Sequence, residues 1–154
     1  MALRQIRMDK DPVLRKQTRE ISEITQHIRD LAQDMFDTMY QAEGVGLAAP
    51  QVGILKKMVV IDTGENPIVL INPVVSDPQG SIVMEEACLS FPDRSGQVVR
   101  PEQVKVTFTD LDGNEQTLEC DGLLARAVCH EVDHLNGIVF LDRVIEGTLH
   151  DDRI

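Results

Sequence analysis

Basic residues are scarce in this sequence. Its 154 residues include 15 Lys and Arg against 26 Asp and Glu, which gives a formal net charge of -11 at pH 7. Because proteins hold the phosphate backbone mainly through cationic side chains, this balance disfavours stable or non-specific binding to nucleic acid.

Long apolar stretches and a disulfide framework are also missing. No apolar run is long enough to span a bilayer, and the N-terminal segment Met-Ala-Leu-Arg-Gln-Ile-Arg lacks the apolar core of a signal peptide. Three cysteines are an odd number, which argues against paired disulfides and for a reducing compartment. The sequence therefore predicts a cytoplasmic protein that does not bind membranes.

Internal repeats, low-complexity tracts and interdomain linkers are absent too. The composition, with 42% hydrophobic and 27% charged residues, is that of a globular protein. A chain of this length can bury a substantial core. We therefore expect residues 1–154 to form one domain.

Apolar periodicity predicts two helices. Between Thr25 and Ala42, apolar residues recur at three- and four-residue steps, as on one face of an amphipathic helix. A second helix is expected after Asp121, a suitable N-cap, and it should end at Asn136-Gly137, where glycine accepts the left-handed conformation.

The middle of the chain is rich in predicted strands. Short apolar runs at 57–62 and 68–71, followed by alternating apolar residues at 104–108, are typical of strands. Asp112-Gly113 predicts a hairpin, and Asn72-Pro73, like the segment 77–80, predicts a further turn. We expect an α+β fold in which antiparallel sheets surround the second helix.

The second predicted helix contains the pattern HExxH. His130 and His134 are four residues apart, so on a helix they lie one turn from each other on the same face and can bind one metal ion. Glu131 is offset around the helix, close to the metal but free to move a proton. This arrangement suits metal-assisted hydrolysis.

A catalytic metal usually takes three protein ligands and keeps one position open for water. The long zincin signature would place its third histidine at Phe140, which cannot bind metal. Glu146 and His150 follow with little chain left to fold back. Cys88 is the stronger candidate, because a thiolate is a good ligand for a borderline or soft metal.

The other two cysteines have weaker claims to the metal. Cys129 directly precedes His130 and projects about 100° away from it on a helix, which leaves it as the lesser alternative to Cys88. Cys120 ends a predicted strand and is expected to be a small core residue.

Three motifs together resemble those of one family. The sequence has GVGLAAPQ at 44–51, EACLS at 86–90 and HEVDH at 130–134, and the peptide deformylases have GφGφAAxQ, EGCLS and HExxH, with φ apolar. The similarity extends from the N-terminal segment to about Asp142. Ala87 departs from the pattern, which has glycine there. A positive φ would make this alanine cost about 1 kcal/mol or more, but we expect an extended backbone that tolerates it.

The resemblance implies a metal-dependent hydrolase that removes the N-formyl group from the formyl-methionine of newly made polypeptides and releases formate. It implies Cys88, His130 and His134 as metal ligands and Fe²⁺ as the metal in the cell. Zn²⁺, Ni²⁺ or Co²⁺ suit the same ligands in purified protein. The implied partners are N-formylmethionyl nascent peptides, with transient proximity to the ribosome.

The resemblance also implies roles for other residues. Glu131 would take a proton from water and give it to the leaving amine. The amide of Gln51 and the backbone N–H of Leu89 would stabilise the oxyanion. The backbone of Val45 and Gly46 would pair with an extended substrate.

Further implied contacts lie around the substrate and the metal. The carbonyl of Ala87 would serve the substrate, and a pocket for the methionine side chain would be lined by Leu123, Arg126 and Ala127. Arg126 stands where an apolar residue is anticipated. Either its stem covers the pocket while the guanidinium meets solvent, or it changes the preferred substrate residue.

Glu86 and Arg100 lie on either side of the third-ligand candidate. Resembling sequences indicate that they form a pair that steadies the loop of Cys88. The alternative is a solvated pair, which would contribute little.

Two other classes of function stay open. One is a general metallopeptidase, against which stands the missing downstream ligand. The other is a structural zinc-binding module without catalysis, which a fourth protein ligand would indicate.

Overall fold

The structure, a computed structural model, describes residues 2–153. Within them it has two α-helices and eight strands, together with short 3₁₀ helices at Pro12–Arg15, Ala49–Val52 and Phe140–Asp142. The helices are α1 (Gln26–Gln41) and α2 (Gly122–Leu135). The strands are β1 (Gly46–Ala48), β2 (Met58–Ile61), β3 (Ile68–Gln79), β4 (Ile82–Cys88), β5 (Phe91–Arg100), β6 (Gln103–Thr109), β7 (Glu115–Asp121) and β8 (His150–Asp151).

The strands form two antiparallel sheets. The larger has five strands in the order β1-β2-β3-β6-β7, and the smaller has three in the order β4-β5-β8. The prediction of an α+β fold with antiparallel sheets is therefore confirmed. No helix among residues 2–153 is long and apolar enough to cross a bilayer.

The larger sheet is covered on both faces. Along β2, Met58 and Val60 belong to the core that packs against α1, whereas Val59 and Ile61 belong to the core that packs against α2. Successive side chains of a strand point to opposite faces. This strand is therefore continuously apolar because it has no solvated face.

Helix α2 lies between the two sheets. Its apolar side packs on the larger sheet through residues such as Val128 and Leu135. On its other side, Arg126 donates hydrogen bonds to the carbonyl oxygens of Ile82 in β4 and Val98 in β5. The expected central position of this helix is thus confirmed.

Both predicted helix boundaries are close to the observed ones. The Thr25 hydroxyl caps α1 by accepting a hydrogen bond from the Ile28 N–H at 3.3 Å. Asp121 is the N-cap residue of α2, although its side chain makes no capping hydrogen bond. At the other end, Asn136 is the C-cap and Gly137 has a φ of 74°.

Of the two turns predicted in the middle of the chain, the one at Asn72-Pro73 is wrong and the one at 77–80 begins too early. Strand β3 runs through Asn72-Pro73 and ends at Gln79, so Gly80, with a φ of 68°, begins the connection to β4. The register of β3 against β6 shifts between Ile71 and Val74 and again between Ser76 and Gln79. Asn72 and Asp77 both have a φ of 52°. Because a bulge accepts both a left-handed residue and a proline without an N–H, these residues bend the strand instead of ending it.

Gly137 fixes the exit of the chain from α2. A Cβ there would lie 2.6 Å from the Arg15 carbonyl oxygen, in addition to the cost of a positive φ. We expect Gly137→Ala to lower the free energy of unfolding by about 1 kcal/mol for the backbone conformation and by roughly 1–3 kcal/mol more for the clash.

Urea denaturation measures this effect, with Gly113→Ala as the matched control. Gly113 has a φ of 85° and nothing within 4 Å of an added Cβ, so its variant should show the backbone cost alone. Equal losses of stability in the two variants would mean that the close approach to Arg15 is unimportant.

Candidate metal centre

Two elements bring three metal-ligating side chains together. His130 and His134 lie one turn apart on α2, and Cys88 ends β4. Their ligand atoms all lie within 4.8 Å of one another, and the Cys88 Sγ is 3.3 Å from the His134 Nε2. Such a cluster suits one cation with three protein ligands and an open fourth position.

A hydrogen bond to Glu86 fixes the orientation of the His130 ring. Its Nδ1 lies 2.9 Å from the Glu86 Oε1. Because a carboxylate accepts, Nδ1 carries the proton and Nε2 keeps its lone pair for a metal.

Glu86 is itself held by Arg100. The Arg100 Nε donates to the Glu86 Oε2 at 2.9 Å, and Nη2 donates to Oε1 at 3.0 Å. Both side chains are buried. The expected pair between these residues is confirmed, and the alternative of a solvated pair is wrong.

The electrostatics of the centre favour a cation. Burial, together with the charge of His130, lowers the pKa of His134 to about 3, so its imidazole stays neutral and able to bind metal. Burial also lowers the pKa of His130. The nearby groups of Glu131, Cys88 and Glu86 have a larger effect and raise the pKa of this imidazole well above its usual value. A position where positive charge is favoured in this way fits a divalent metal ion.

Glu131 is a buried carboxyl group beside the cluster. Burial raises its pKa to about 7. Its Oε2 lies 4.0 Å from the His130 Nε2, and its Oε1 has no hydrogen-bond partner among residues 2–153. A carboxylate with a free oxygen near a metal position can take and return a proton.

Gly46 allows Glu131 to occupy this place. A Cβ at Gly46 would lie 2.7 Å from the Glu131 Oε2. A side chain on β1 would therefore displace the carboxylate, which gives a physical reason for a glycine at this position of the first motif.

Gln51 is oriented by its neighbours. The Ala48 N–H donates to its Oε1 at 2.9 Å, which places the NH₂ group on the side of Ser90 and Cys88. Nε2 then lies 3.0 Å from the Ser90 Oγ and 3.6 Å from the Cys88 Sγ. Ser90, the last residue of the EACLS motif, was not among the predicted site residues.

A cleft of about 360 Å³ opens beside the cluster. It lies between β1 and β4, which are edge strands of their sheets. Eleven of the twelve residues predicted for the site line it, and only His134 lies behind it, 1% exposed. The lining residues from that prediction are Val45, Gly46, Gln51, Ala87, Cys88, Leu89, Leu123, Arg126, Ala127, His130 and Glu131.

Arg126 points in a direction that the sequence did not predict. The expectation that its guanidinium meets solvent is wrong, because the side chain is buried and forms an ion pair with Glu86. Asp133 was not among the predicted residues either, and its Oδ2 accepts a hydrogen bond from the Arg100 Nη1 at 2.7 Å. Both contacts join residues distant in the chain, so no local pattern reveals them.

Ala87 and the other cysteines behave as expected. Ala87 lies in β4 opposite Ser95, and its φ is not positive, so the methyl group causes no backbone strain. Cys120 is a buried core residue. Cys129 packs against the same core and does not belong to the metal-ligating cluster.

Known proteins resemble this chain in sequence and fold. Residues 3–149 match the family described as Polypeptide deformylase. The chain is 55% identical over 151 residues to the peptide deformylase of Agathobacter rectalis, covering 98% of this chain and 95% of that protein. It is 52% identical over 147 residues to peptide deformylase 1 of Clostridium acetobutylicum, covering 96% and 98%.

Solved structures agree with these matches. A peptide deformylase from Synechococcus elongatus in complex with actinonin has a TM-score of 0.90 at 45% identity, covering 92% of this chain and 79% of that one. The peptide deformylase from Thermotoga maritima has a TM-score of 0.92 at 38% identity, covering 94% and 99%.

The geometry predicts which cysteine binds the metal. We expect Cys88→Ser to reduce the metal content from about one ion per chain to near zero after dialysis, because a neutral hydroxyl replaces the thiolate. Elemental analysis of protein purified without oxygen measures this. Cys129→Ser is the matched control and should retain the ion, and loss of metal from Cys129→Ser alone would reverse the assignment.

Proposed function

Since the chain belongs to the peptide deformylase family, metal-dependent hydrolases that remove the N-formyl group from nascent polypeptides, we propose a role in that reaction for each residue of its cleft. The observation that carries the proposal is the convergence of one sulfur and two imidazoles beside a buried carboxylate with a free oxygen. We assign these roles to one catalytic domain that comprises residues 1–154.

Cys88, His130 and His134 would hold one divalent metal ion. When bound, such an ion polarises a carbonyl group and makes water acidic enough to supply hydroxide near neutral pH. One thiolate with two imidazoles suits a borderline or soft metal. We propose Fe²⁺ in the cell, with Zn²⁺, Ni²⁺ or Co²⁺ as substitutes in purified protein.

Glu131 is proposed as the general base and then the general acid. It takes one proton from the attacking water as the new C–O bond forms at the formyl carbon. It then delivers that proton to the nitrogen as the C–N bond breaks, which leaves formate and a free amino terminus. Its pKa near 7 suits both directions of proton transfer.

Gln51 and Leu89 are proposed to stabilise the negative charge that develops on the carbonyl oxygen. The Gln51 NH₂ group is turned towards Cys88 and held there by Ala48 and Ser90. Leu89 directly follows Cys88 in the turn between β4 and β5 and lines the cleft, and we assign its backbone N–H as the second donor.

The two edge strands are proposed to hold the peptide between them. An extended chain can pair with the backbone of Val45 and Gly46 on one side and of Ala87 on the other. Leu123, Ala127 and the stem of Arg126 line the same cleft on α2 and would contact the first side chain of the substrate.

The proposed partners are N-formylmethionyl nascent peptides in the cytoplasm, with transient proximity to the ribosome during their synthesis. The net charge of -11 supports an encounter through the peptide instead of stable binding to nucleic acid.

The two alternative functions predict different results. A general metallopeptidase would cleave peptides with a free amino terminus, so formylated and unformylated methionyl peptides separate it from a deformylase. A structural zinc module would have four protein ligands, whereas the cluster found among residues 2–153 contains three.

Removal of the proposed base should stop the reaction. We expect Glu131→Gln to lower kcat/KM for formate release from a formyl-methionyl peptide by roughly 10²–10⁴-fold, because the amide cannot accept the water proton. A coupled formate assay measures this, together with the metal content of the same sample.

The control for this prediction is Glu119→Gln on the exposed surface of β7, which should leave kcat/KM unchanged. Activity of Glu131→Gln equal to that of the unmodified chain would contradict the assignment. Loss of metal from this variant would instead show that Glu131 helps to hold the ion.

The close approach of Gly46 to Glu131 gives a second prediction. We expect Gly46→Ala to lower kcat/KM at least about tenfold, since displacing a catalytic group by even 1 Å can cost on the order of 10²-fold. The metal content should stay at one ion per chain. Unchanged activity would show that the carboxylate works equally well from a shifted position.

A further inference from the structure

We propose that Arg126 is a positioning residue for the metal centre: it holds Glu86 against His130 and so sets how tightly the chain binds its metal. The inference rests on the metal site assigned in the proposed function. It gives Arg126 a role beyond that of lining the cleft.

Each carboxylate oxygen of Glu86 accepts two hydrogen bonds. Its Oε1 accepts from the Arg100 Nη2 and the His130 Nδ1, at 3.0 and 2.9 Å. Its Oε2 accepts from the Arg100 Nε at 2.9 Å and from the Arg126 Nη1. Without Arg126, one of the two oxygens would keep a single donor, and the carboxylate could turn away from the imidazole.

Arg126 also joins three elements at this point. Its Nη2 donates to the Ile82 carbonyl oxygen of β4 at 2.9 Å, and its Nη1 lies 3.3 Å from the Val98 carbonyl oxygen of β5. On α2 it precedes His130 by four residues, so both side chains lie on one face of the helix. The helix that carries two ligands is thereby tied to the hairpin that carries Glu86 and Cys88.

The buried guanidinium of Arg126 has Glu86 as its carboxylate partner. Its side chain is 6% exposed, and its Nε has no hydrogen-bond partner among residues 2–153. Burial of a charged group is unfavourable unless the group is paired. The partner is Glu86, so the position of the charge is tied to the carboxylate that orients the metal ligand.

Arg100 alone does not replace this contact. It reaches Glu86 from β5, and its remaining Nη1 is engaged by Asp133, which also accepts two hydrogen bonds from Arg143. The Arg143 side chain is 43% exposed and contacts Asp133, not Glu86. It therefore offers a matched control, an arginine of the same network that does not touch the carboxylate.

The test is metal affinity, measured by competition between the chain and a chelator for Co²⁺. We expect Arg126→Met to bind Co²⁺ about 10–100-fold more weakly, the usual effect of removing a partner behind a metal ligand. Its Co²⁺ absorption spectrum should change as well. Arg126→Lys, which retains the charge, should recover part of the affinity, and Arg143→Met should bind as the unmodified chain does.

A double-mutant cycle shows whether Arg126 acts through Glu86. In a Glu86→Gln background, Arg126→Met should cause no further loss of affinity. Equal losses with and without Glu86 would overturn the inference, as would unchanged affinity and spectrum in Arg126→Met. If the methionine variant does not fold, as judged by thermal unfolding, the lysine variant in the same cycle decides.

The outcomes also separate this inference from the proposed function. An unmodified chain that binds Co²⁺ no better than the Cys88→Ser variant would overturn both. An unmodified chain that binds Co²⁺ tightly, with Arg126→Met equally tight, would overturn the role of Arg126 and leave the metal site intact.

Discussion

The buried carboxylate of Glu86 is the constraint on which the site depends. Burying a carboxylate is unfavourable unless its oxygens accept hydrogen bonds and its charge is paired. Here His130 donates from α2 and Arg100 from β5, while Arg126 donates from α2 to the second oxygen. Satisfying this one group therefore requires the helix and the hairpin to lie at a fixed distance and angle.

The position of the sulfur is set within the same hairpin. Cys88 ends β4 two residues beyond Glu86, after the register against β5 shifts between Ala87 and Cys88. Such an irregularity departs from the alternation of a regular strand and redirects a side chain. The thiol lies 3.3 Å from the Nε2 of His134, so one hairpin carries both the carboxylate that contacts His130 and the proposed third ligand.

The cleft lies between two strands that are each paired on one side among the described residues. β1 and β4 end their sheets with free edges on either side of it. Free edges are a liability in most proteins because they invite pairing with other chains. We propose that the same property makes these edges a binding surface for the peptide, and Gly46 brings one edge close to Glu131.

The sequence by itself determined the parts that depend on near neighbours. Spacing along α2 placed His130 and His134 on one face, and Asp121 and Asn136-Gly137 marked the two ends of that helix. The three short motifs also led from the residues to the family and to the members of the cleft. These features need no knowledge of how distant segments pack.

Only the tertiary structure decided the rest. Arginine is usually solvated, yet Arg126 turns inward because Glu86 lies across the helix–hairpin boundary. Asn72 precedes a proline, and this pair of residues is typical of a turn. It lies in a bulge instead, because β6 pairs with β3 on both sides of it. In each case the deciding partner lies far away in the chain, and the free energy of that contact exceeds the weak local preference.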